Sequence, residues 1–172
     1  MGAIYNAHDL NIHRAVAMKV MLSPERATRD QIVRFVHEAQ VTGQLEHPNI
    51  VPVHEISQDR EDNLFYTMKL IDGRTLADII QKIREGDKET LAAFPFSHLL
   101  SVFMRACDAV AYAHSRGVVH RDLKPENIMV DDFGEVLVLD WGLAKIMPRM
   151  EEAGGPSWVI EEDGDDKSIS GK

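Results

Sequence analysis

Apolar positions along this chain recur with two different periods, and the switches between them mark out its elements. Ala15 to Leu22 (AVAMKVML) is a short apolar run holding a single lysine, which predicts a buried strand broken by Ser23-Pro24. From about Gln31 to Leu45 the apolar residues Ile32, Phe35, Val36, Ala39 and Leu45 recur at helical spacing, with Arg34, His37 and Glu38 between them. That pattern predicts an amphipathic helix, ended by the turn His47-Pro48-Asn49. Two strands are expected next, Ile50 to Ser57 and Leu64 to Ile71, joined by the polar loop Gln58 to Asn63. Asp72-Gly73 reads as a turn before a helix from about Thr75 to Arg84. A polar connector around Gly86 to Thr90 and then Pro95 lead into a longer helix, about Ser97 to Ser115, closed by Gly117. Val118-Val119 reads as a short strand. Ile128 to Val130 and Val136 to Leu139 read as a hairpin turned by Asp131-Asp132-Phe133-Gly134. Beyond Trp141-Gly142 the pattern decays, and Glu151 to Lys172 reads as a mobile, acidic stretch.

Composition narrows the class. With 172 residues, 44% of them apolar and 27% charged, the chain fits one soluble domain or two short lobes. The net charge is −9, and residues 150–172 carry seven acidic residues against two lysines. So acidic a balance argues against nucleic acid as a partner, because phosphate contacts need clustered Lys and Arg. No run of 18 apolar residues occurs, and the amino terminus lacks the basic-then-apolar pattern of a signal peptide. The expectation is a cytoplasmic chain without a membrane segment, an anchor elsewhere in a longer parent being left open. The single cysteine, Cys107, is expected as a buried core thiol. Eight scattered histidines without paired spacing argue against zinc, and the acids from Glu161 to Asp166 lack the regular spacing of a calcium loop.

The chemistry concentrates in His120-Arg121-Asp122-Leu123-Lys124-Pro125-Glu126-Asn127, followed thirteen residues later by Asp140-Trp141-Gly142. These offer a carboxylate and a lysine on one loop, then an amide and a second carboxylate near strand ends. Phosphoryl transfer asks for such a set: a group to orient a hydroxyl, a cation near the moving phosphoryl, and hard oxygen ligands for Mg²⁺. Taken alone, Lys19 in its apolar strand reads as a snorkelling side chain and Glu38 as a solvated helix residue.

These residues resemble the serine/threonine form of the protein kinase family, and the resemblance runs almost continuously from Gly2 to Lys145. It implies that Asp122 is the catalytic base, that Lys124 steadies the γ-phosphate, and that Asn127 and Asp140 hold Mg²⁺. Val16-Ala17-Met18-Lys19 is similar to the strand whose lysine binds the α- and β-phosphates of ATP, and Glu38 matches its glutamate partner. Phe65 to Gly73 resembles the strand and hinge between the lobes. Met68 would be the gatekeeper, the backbones of Lys69 and Ile71 would meet the adenine edge, and Ala17 and Met129 would sandwich the ring. The implied fold is α+β and two-lobed. Residues 1–71 would form a partial small lobe and hinge, 72–147 a partial, mainly helical large lobe, and 148–172 part of the activation segment. The implied activity is Mg²⁺-assisted transfer of the ATP γ-phosphoryl to a serine or threonine hydroxyl of a protein substrate. His120 is expected to pack beneath the loop. Arg121, directly before the aspartate, resembles that of kinases switched by phosphorylation of the activation segment, where Ser168 and Ser170 are the hydroxyls retained.

The chain also departs from the family pattern. Of the glycine-rich loop only the end is found, with Gly2 as its last glycine and Ile4 in place of valine. Trp141 stands where phenylalanine is usual, and no Ala-Pro-Glu follows. The expectation is therefore a domain cut at both ends, weak or inert by itself. Alternatives are a nucleotide-binding pseudoenzyme, a small-molecule phosphotransferase, or an inert fragment. The retention of Lys19, Glu38, Asp122, Asn127 and Asp140 speaks against the first. The Lys124 to Asn127 and Trp141-Gly142 context speaks against the second.

Overall fold

The computed structural model describes residues 2–22, 25, 27–61 and 63–147. The chain opens with a hairpin the apolar pattern does not announce: β1 (Gly2–Asp9) runs antiparallel to β2 (Arg14–Met21). β1 is mostly exposed, so it shows little contrast between its faces. Its turn is set by Asp9, whose carboxylate accepts the N–H groups of Asn11 and Ile12 at 3.0 and 3.4 Å. With β3 (Val53–Gln58) and β4 (Leu64–Lys69), these strands form an antiparallel sheet in the order β1-β2-β4-β3. β4 ends at Lys69, leaving Leu70 and Ile71 in the connection that follows.

Helix α1 (Arg29–Gln44) begins at a capping box. The Thr28 hydroxyl accepts from the Gln31 N–H at 3.3 Å, and the Gln31 side chain accepts from the Thr28 N–H at 2.9 Å. The helix presents Phe35, Glu38 and Ala39 to the sheet, where Met21, Phe35, Ala39 and Tyr66 make a small core. Val41 and Leu45, one turn further on, join a second and larger core with Ile50, Ile79, Val102, Val118, Ile128, Val138 and Trp141.

That larger core is mainly helical. β5 (Gly73–Thr75) leads into α2 (Leu76–Arg84), capped by a Thr75–Asp78 box. Gly73 lies so close to β7 (Ile128–Asp131) that a Cβ there would stand 2.4 Å from the Val130 carbonyl oxygen. The polar connector holds one element the pattern leaves out, α3 (Lys88–Ala93), begun by Asp87 accepting the Thr90 N–H at 2.8 Å. α4 (Phe96–Ser115) buries Val102, Ala106, Ala109 and Ala113, a stripe at helical spacing. Cys107, expected in the core, is exposed. It follows Ala106 directly, and one residue of helix turns the side chain about 100° off the buried stripe.

β6 (Val118–Val119), β7, β8 (Val136–Val138) and β9 (Lys145–Ile146) complete the described strands, in a three-stranded sheet β5-β7-β8 and a two-stranded pair β6-β9. The β7–β8 turn forms where Asp131 to Gly134 predict it, with the Asp131 carboxylate accepting from the N–H groups of Phe133 and Glu135. The loop after α1 is joined to β8. Val138 N–H donates to the Asn49 carbonyl at 2.8 Å, Val51 N–H to the Val138 carbonyl at 3.2 Å, and the Asn49 side chain to the Val136 carbonyl at 2.8 Å. The architecture is α+β, an antiparallel sheet with one helix followed by a mainly helical part. No helix among the described residues is long and apolar enough to cross a membrane.

Candidate active site

Lys19 sits on β2 directly opposite Tyr66 of β4, and Ala17 opposite Met68. Because directly paired residues share a face and side chains alternate along each strand, all four face the same way. On that face the Lys19 ammonium donates to Glu38 Oε1 at 2.5 Å. Glu38 is brought there by α1, where it belongs to the buried stripe with Phe35, Ala39 and Thr42. The residue is only 7% exposed, so its charge is viable only with partners, and among the described residues it has two. Besides Lys19, the Tyr66 hydroxyl donates to the same oxygen at 2.7 Å. The sequence reading did not single out Tyr66. A tyrosine in an alternating strand gives no sign of what its hydroxyl will meet.

The loop from His120 to Asn127 carries the second group. Lys124 donates to Asp122 Oδ2 at 2.7 Å, and the Asn127 amide donates to the Asp122 carbonyl at 2.9 Å and to Oδ2 at 3.4 Å. The bond from Lys124 is the main cause holding the Asp122 carboxyl below its ordinary range; the same bond raises Lys124. Asp122 is therefore an ionised acceptor throughout the neutral range. Asn127 is buried with its amide N–H₂ committed to Asp122, which leaves the side-chain oxygen as its free ligand atom.

Asp140 is tied to this loop through its neighbours. Leu139 N–H donates to the Asn127 carbonyl at 2.8 Å, and the Leu139 carbonyl meets His120 Nε2 at 2.9 Å. His120 Nδ1 accepts from the Asp122 N–H at 3.2 Å, so the ring is the Nε2–H tautomer and carries its proton toward Leu139. His120 is buried, with its ring 4.6 Å from that of Trp141. It packs beneath the loop, as expected. Asp140 itself is exposed at φ 57°, and Arg121 has φ 66°. One left-handed non-glycine residue thus precedes the candidate base and the other is itself a candidate metal ligand, at a cost of about 1–3 kcal/mol each that the surrounding bonds must offset.

Oxygen donors are what a Mg²⁺ ion takes, and Asn127 Oδ1 with the exposed carboxylate of Asp140 supplies them. Among the described residues no group of three or more His, Cys, Asp or Glu could hold a metal. The donor set fits an ion that completes its shell with nucleotide phosphates and water. Gly142 abuts both halves of the site: a Cβ there would lie 3.1 Å from Glu38 Oε2 and 3.2 Å from Asp140 Oδ1.

The candidate adenine residues are less enclosed. Ala17 is buried, and Met68 and Met129 are half-buried. The Lys69 N–H already donates to the Pro52 carbonyl at 3.1 Å, so what its backbone can offer a ligand is the carbonyl. Ile71 N–H has no backbone acceptor among the described residues. The Lys69 side chain, unremarked in the sequence, forms an ion pair with Glu135 of the β7–β8 turn. Ser168 and Ser170 lie outside the described residues, as does the acidic segment.

A profile of the protein kinase domain matches residues 1–161. Among curated proteins, the serine/threonine-protein kinase PknD of Protochlamydia amoebophila is 45% identical over 156 residues, covering 88% of this chain and 16% of that protein. PknD of Chlamydia caviae is 39% identical over 155 residues, with the same two coverages. The chain thus spans 16% of the length of these relatives. Among solved structures, a chain of the yeast RNA Pol II CTD kinase CTDK-1 complex superposes with a TM-score of 0.68 at 23% identity. That match covers 84% of this chain and 44% of the other, and speaks to the fold alone.

Proposed function

This chain belongs to the protein kinase family, and from that premise we propose that it supplies the nucleotide cleft and catalytic loop of an ATP-dependent serine/threonine kinase. The observation that carries the reading is the convergence of Lys19 on Glu38, brought together from a strand and a helix, and of Lys124 and Asn127 on Asp122 within one loop. The substrates are Mg²⁺-ATP and a protein bearing a serine or threonine hydroxyl. Residues 1–71 act as a partial small lobe and hinge, 72–147 as part of the large lobe, and 148–172 as part of the activation segment.

In this mechanism Lys19, held by Glu38, binds the α- and β-phosphates. Asp122 accepts and orients the substrate hydroxyl and takes its proton as the oxygen attacks the γ-phosphorus, while the bond from that phosphorus to the β–γ bridging oxygen breaks and ADP leaves. Lys124, whose ammonium lies 2.7 Å from that carboxylate, would stabilise the negative charge that accumulates on the transferring group. Asn127 Oδ1 and Asp140 hold Mg²⁺, which neutralises phosphate charge when bound. Ala17, Met68 and Met129 contact the adenine, whose edge meets the Lys69 carbonyl and the Ile71 backbone.

The test is phosphoryl transfer from labelled ATP to a serine- or threonine-containing protein by the intact protein, with Asp122→Asn as control. A positioned base contributes about 10²–10⁴-fold, so the variant should lose activity by that factor while retaining ATP affinity. Near-normal phosphorylation by Asp122→Asn would end the assignment.

A further inference from the structure

We propose that Tyr66 is a positioning residue for the Lys19–Glu38 pair, its hydroxyl fixing the carboxylate oxygen that receives the lysine. This rests on the kinase reading above. The geometry is specific. Glu38 Oε1 accepts from Lys19 at 2.5 Å and from Tyr66 at 2.7 Å, so one atom is held from two strands of the sheet. Lys19 and Tyr66 face each other across the β2–β4 ladder, and the ammonium lies 5.7 Å from the Tyr66 ring centre. The ring also meets Phe35 of α1 at 5.3 Å between centroids. Tyr66 thus touches both members of the pair and the helix that delivers one of them.

Burial alone does not account for a tyrosine here. The residue is 4% exposed inside a core of Met21, Phe35 and Ala39, where a phenylalanine ring would fill the same space. A buried hydroxyl needs a partner, and among the described residues its single partner is Glu38. Burial first, and then the Glu38 charge, push the phenol far above its ordinary value, so it remains a donor at every working pH.

The role follows from what Lys19 must do. When its ammonium is shared with nucleotide phosphates, its hold on Glu38 weakens, and a carboxylate with no other partner is left to swing or to drag α1 outward. The Tyr66 hydroxyl keeps Oε1 in place during that sharing, and so keeps Lys19 aimed at the cleft. It touches neither nucleotide nor the reacting atoms, and acts through Glu38.

The experiment measures kcat/KM for ATP, affinity for a fluorescent ATP analogue, and amide hydrogen exchange along α1. It compares wild type, Tyr66→Phe, Lys19→Met, Glu38→Ala and the Tyr66→Phe/Glu38→Ala double variant of the intact protein. Losing a hydrogen bond to a charged group should lower kcat/KM for Tyr66→Phe by about tenfold, with faster exchange in α1. In the Glu38→Ala background the same substitution should change analogue affinity by less than about twofold, the sign of coupling through that carboxylate. If Lys19→Met is impaired and Tyr66→Phe matches wild type, the Tyr66 assignment falls while the kinase reading stands. An effect of Tyr66→Phe that persists undiminished without Glu38 also overturns it, showing that the hydroxyl acts elsewhere. If Lys19→Met is itself neutral, the cleft is misassigned and this proposal falls with it.

Discussion

Arg121 donates its Nε–H to the backbone carbonyl of Leu143 at 2.6 Å, closing a contact across 22 residues of chain. The bond ties the residue before the candidate base to the segment just after Asp140-Trp141-Gly142. It uses one edge of the guanidinium; the terminal nitrogens have no hydrogen bond among the described residues, and the side chain is exposed. Arg121 can thus brace this loop and still present a fork to a phosphate on the segment beyond. We expect phosphatase treatment to lower wild-type activity to the level of Arg121→Ala, and to leave Arg121→Ala unchanged. Kinase assays before and after treatment decide it. Wild-type activity indifferent to phosphatase leaves Arg121 with bracing alone.

Lys124 controls the titration of the base. Asp122 is depressed in the folded protein, so what its charge contributes is present above the ordinary aspartate value of 3.8 and lost as pH falls through the depressed one. Lys124 is raised, so its contribution is present below the ordinary value of 10.5 and lost as pH rises past the raised one. Lys124→Met removes the leading cause of the Asp122 shift. The acid limb of kcat/KM should then move to higher pH, on top of a general loss of about 10²–10³-fold for the missing cation. An acid limb that does not move assigns it to another group.

Gly142 is a steric keystone of the pair and of the metal side together. Its backbone is outside the left-handed region, so alanine is conformationally admissible. The added carbon, however, must displace the carboxylates of Glu38 or Asp140, at 3.1 and 3.2 Å. An overpacking cost of about 1–3 kcal/mol expressed at the site predicts a drop near tenfold in ATP affinity, with the fold retained. Nucleotide titration alongside circular dichroism checks both halves.

Trp141 is 1% exposed, and its indole N–H finds no acceptor among the described residues. Two opposing effects follow for Trp141→Phe. It removes a buried unpaired donor, worth about 1–3 kcal/mol, and loses part of a large ring packed on His120. These are of like size, so denaturant unfolding should change by no more than about 1 kcal/mol. A loss of about 3 kcal/mol or more would mean the indole nitrogen is bonded after all.

What the sequence made legible were periodic and contiguous signals. The stripe of Phe35 and Ala39, the run Val16 to Met21 and the turn Asp131 to Gly134 each declare an element within a few residues of themselves. The loop from His120 to Asn127 declares its chemistry for the same reason, since Asp122, Lys124 and Asn127 meet within one turn of chain. Contacts that depend on tertiary placement have no such local mark. Tyr66 on Glu38, Lys69 on Glu135 and Arg121 on Leu143 join residues 28, 66 and 22 apart. Cys107 shows the limit at short range: it lies in an apolar stretch, yet the burial of Ala106 turns it outward.

The joint between the loop at residues 49–51 and β8 gives α1 a fulcrum. The carboxyl end of the helix is anchored there, in the same core as Trp141, whereas its amino end rests on the capping box at Thr28 and on the smaller core that Ile32 and Phe35 join. A disturbance at its amino end would tilt such a helix about the anchored one. At about 1.5 Å of rise per residue, Glu38 lies roughly 10 Å from Leu45 along this lever, and a tilt of about 10° carries it ~2 Å. An ammonium–carboxylate contact of 2.5 Å does not survive an excursion of about that size. A disturbance at the amino end of α1 that barely alters the shape of the molecule is therefore enough to disengage Lys19.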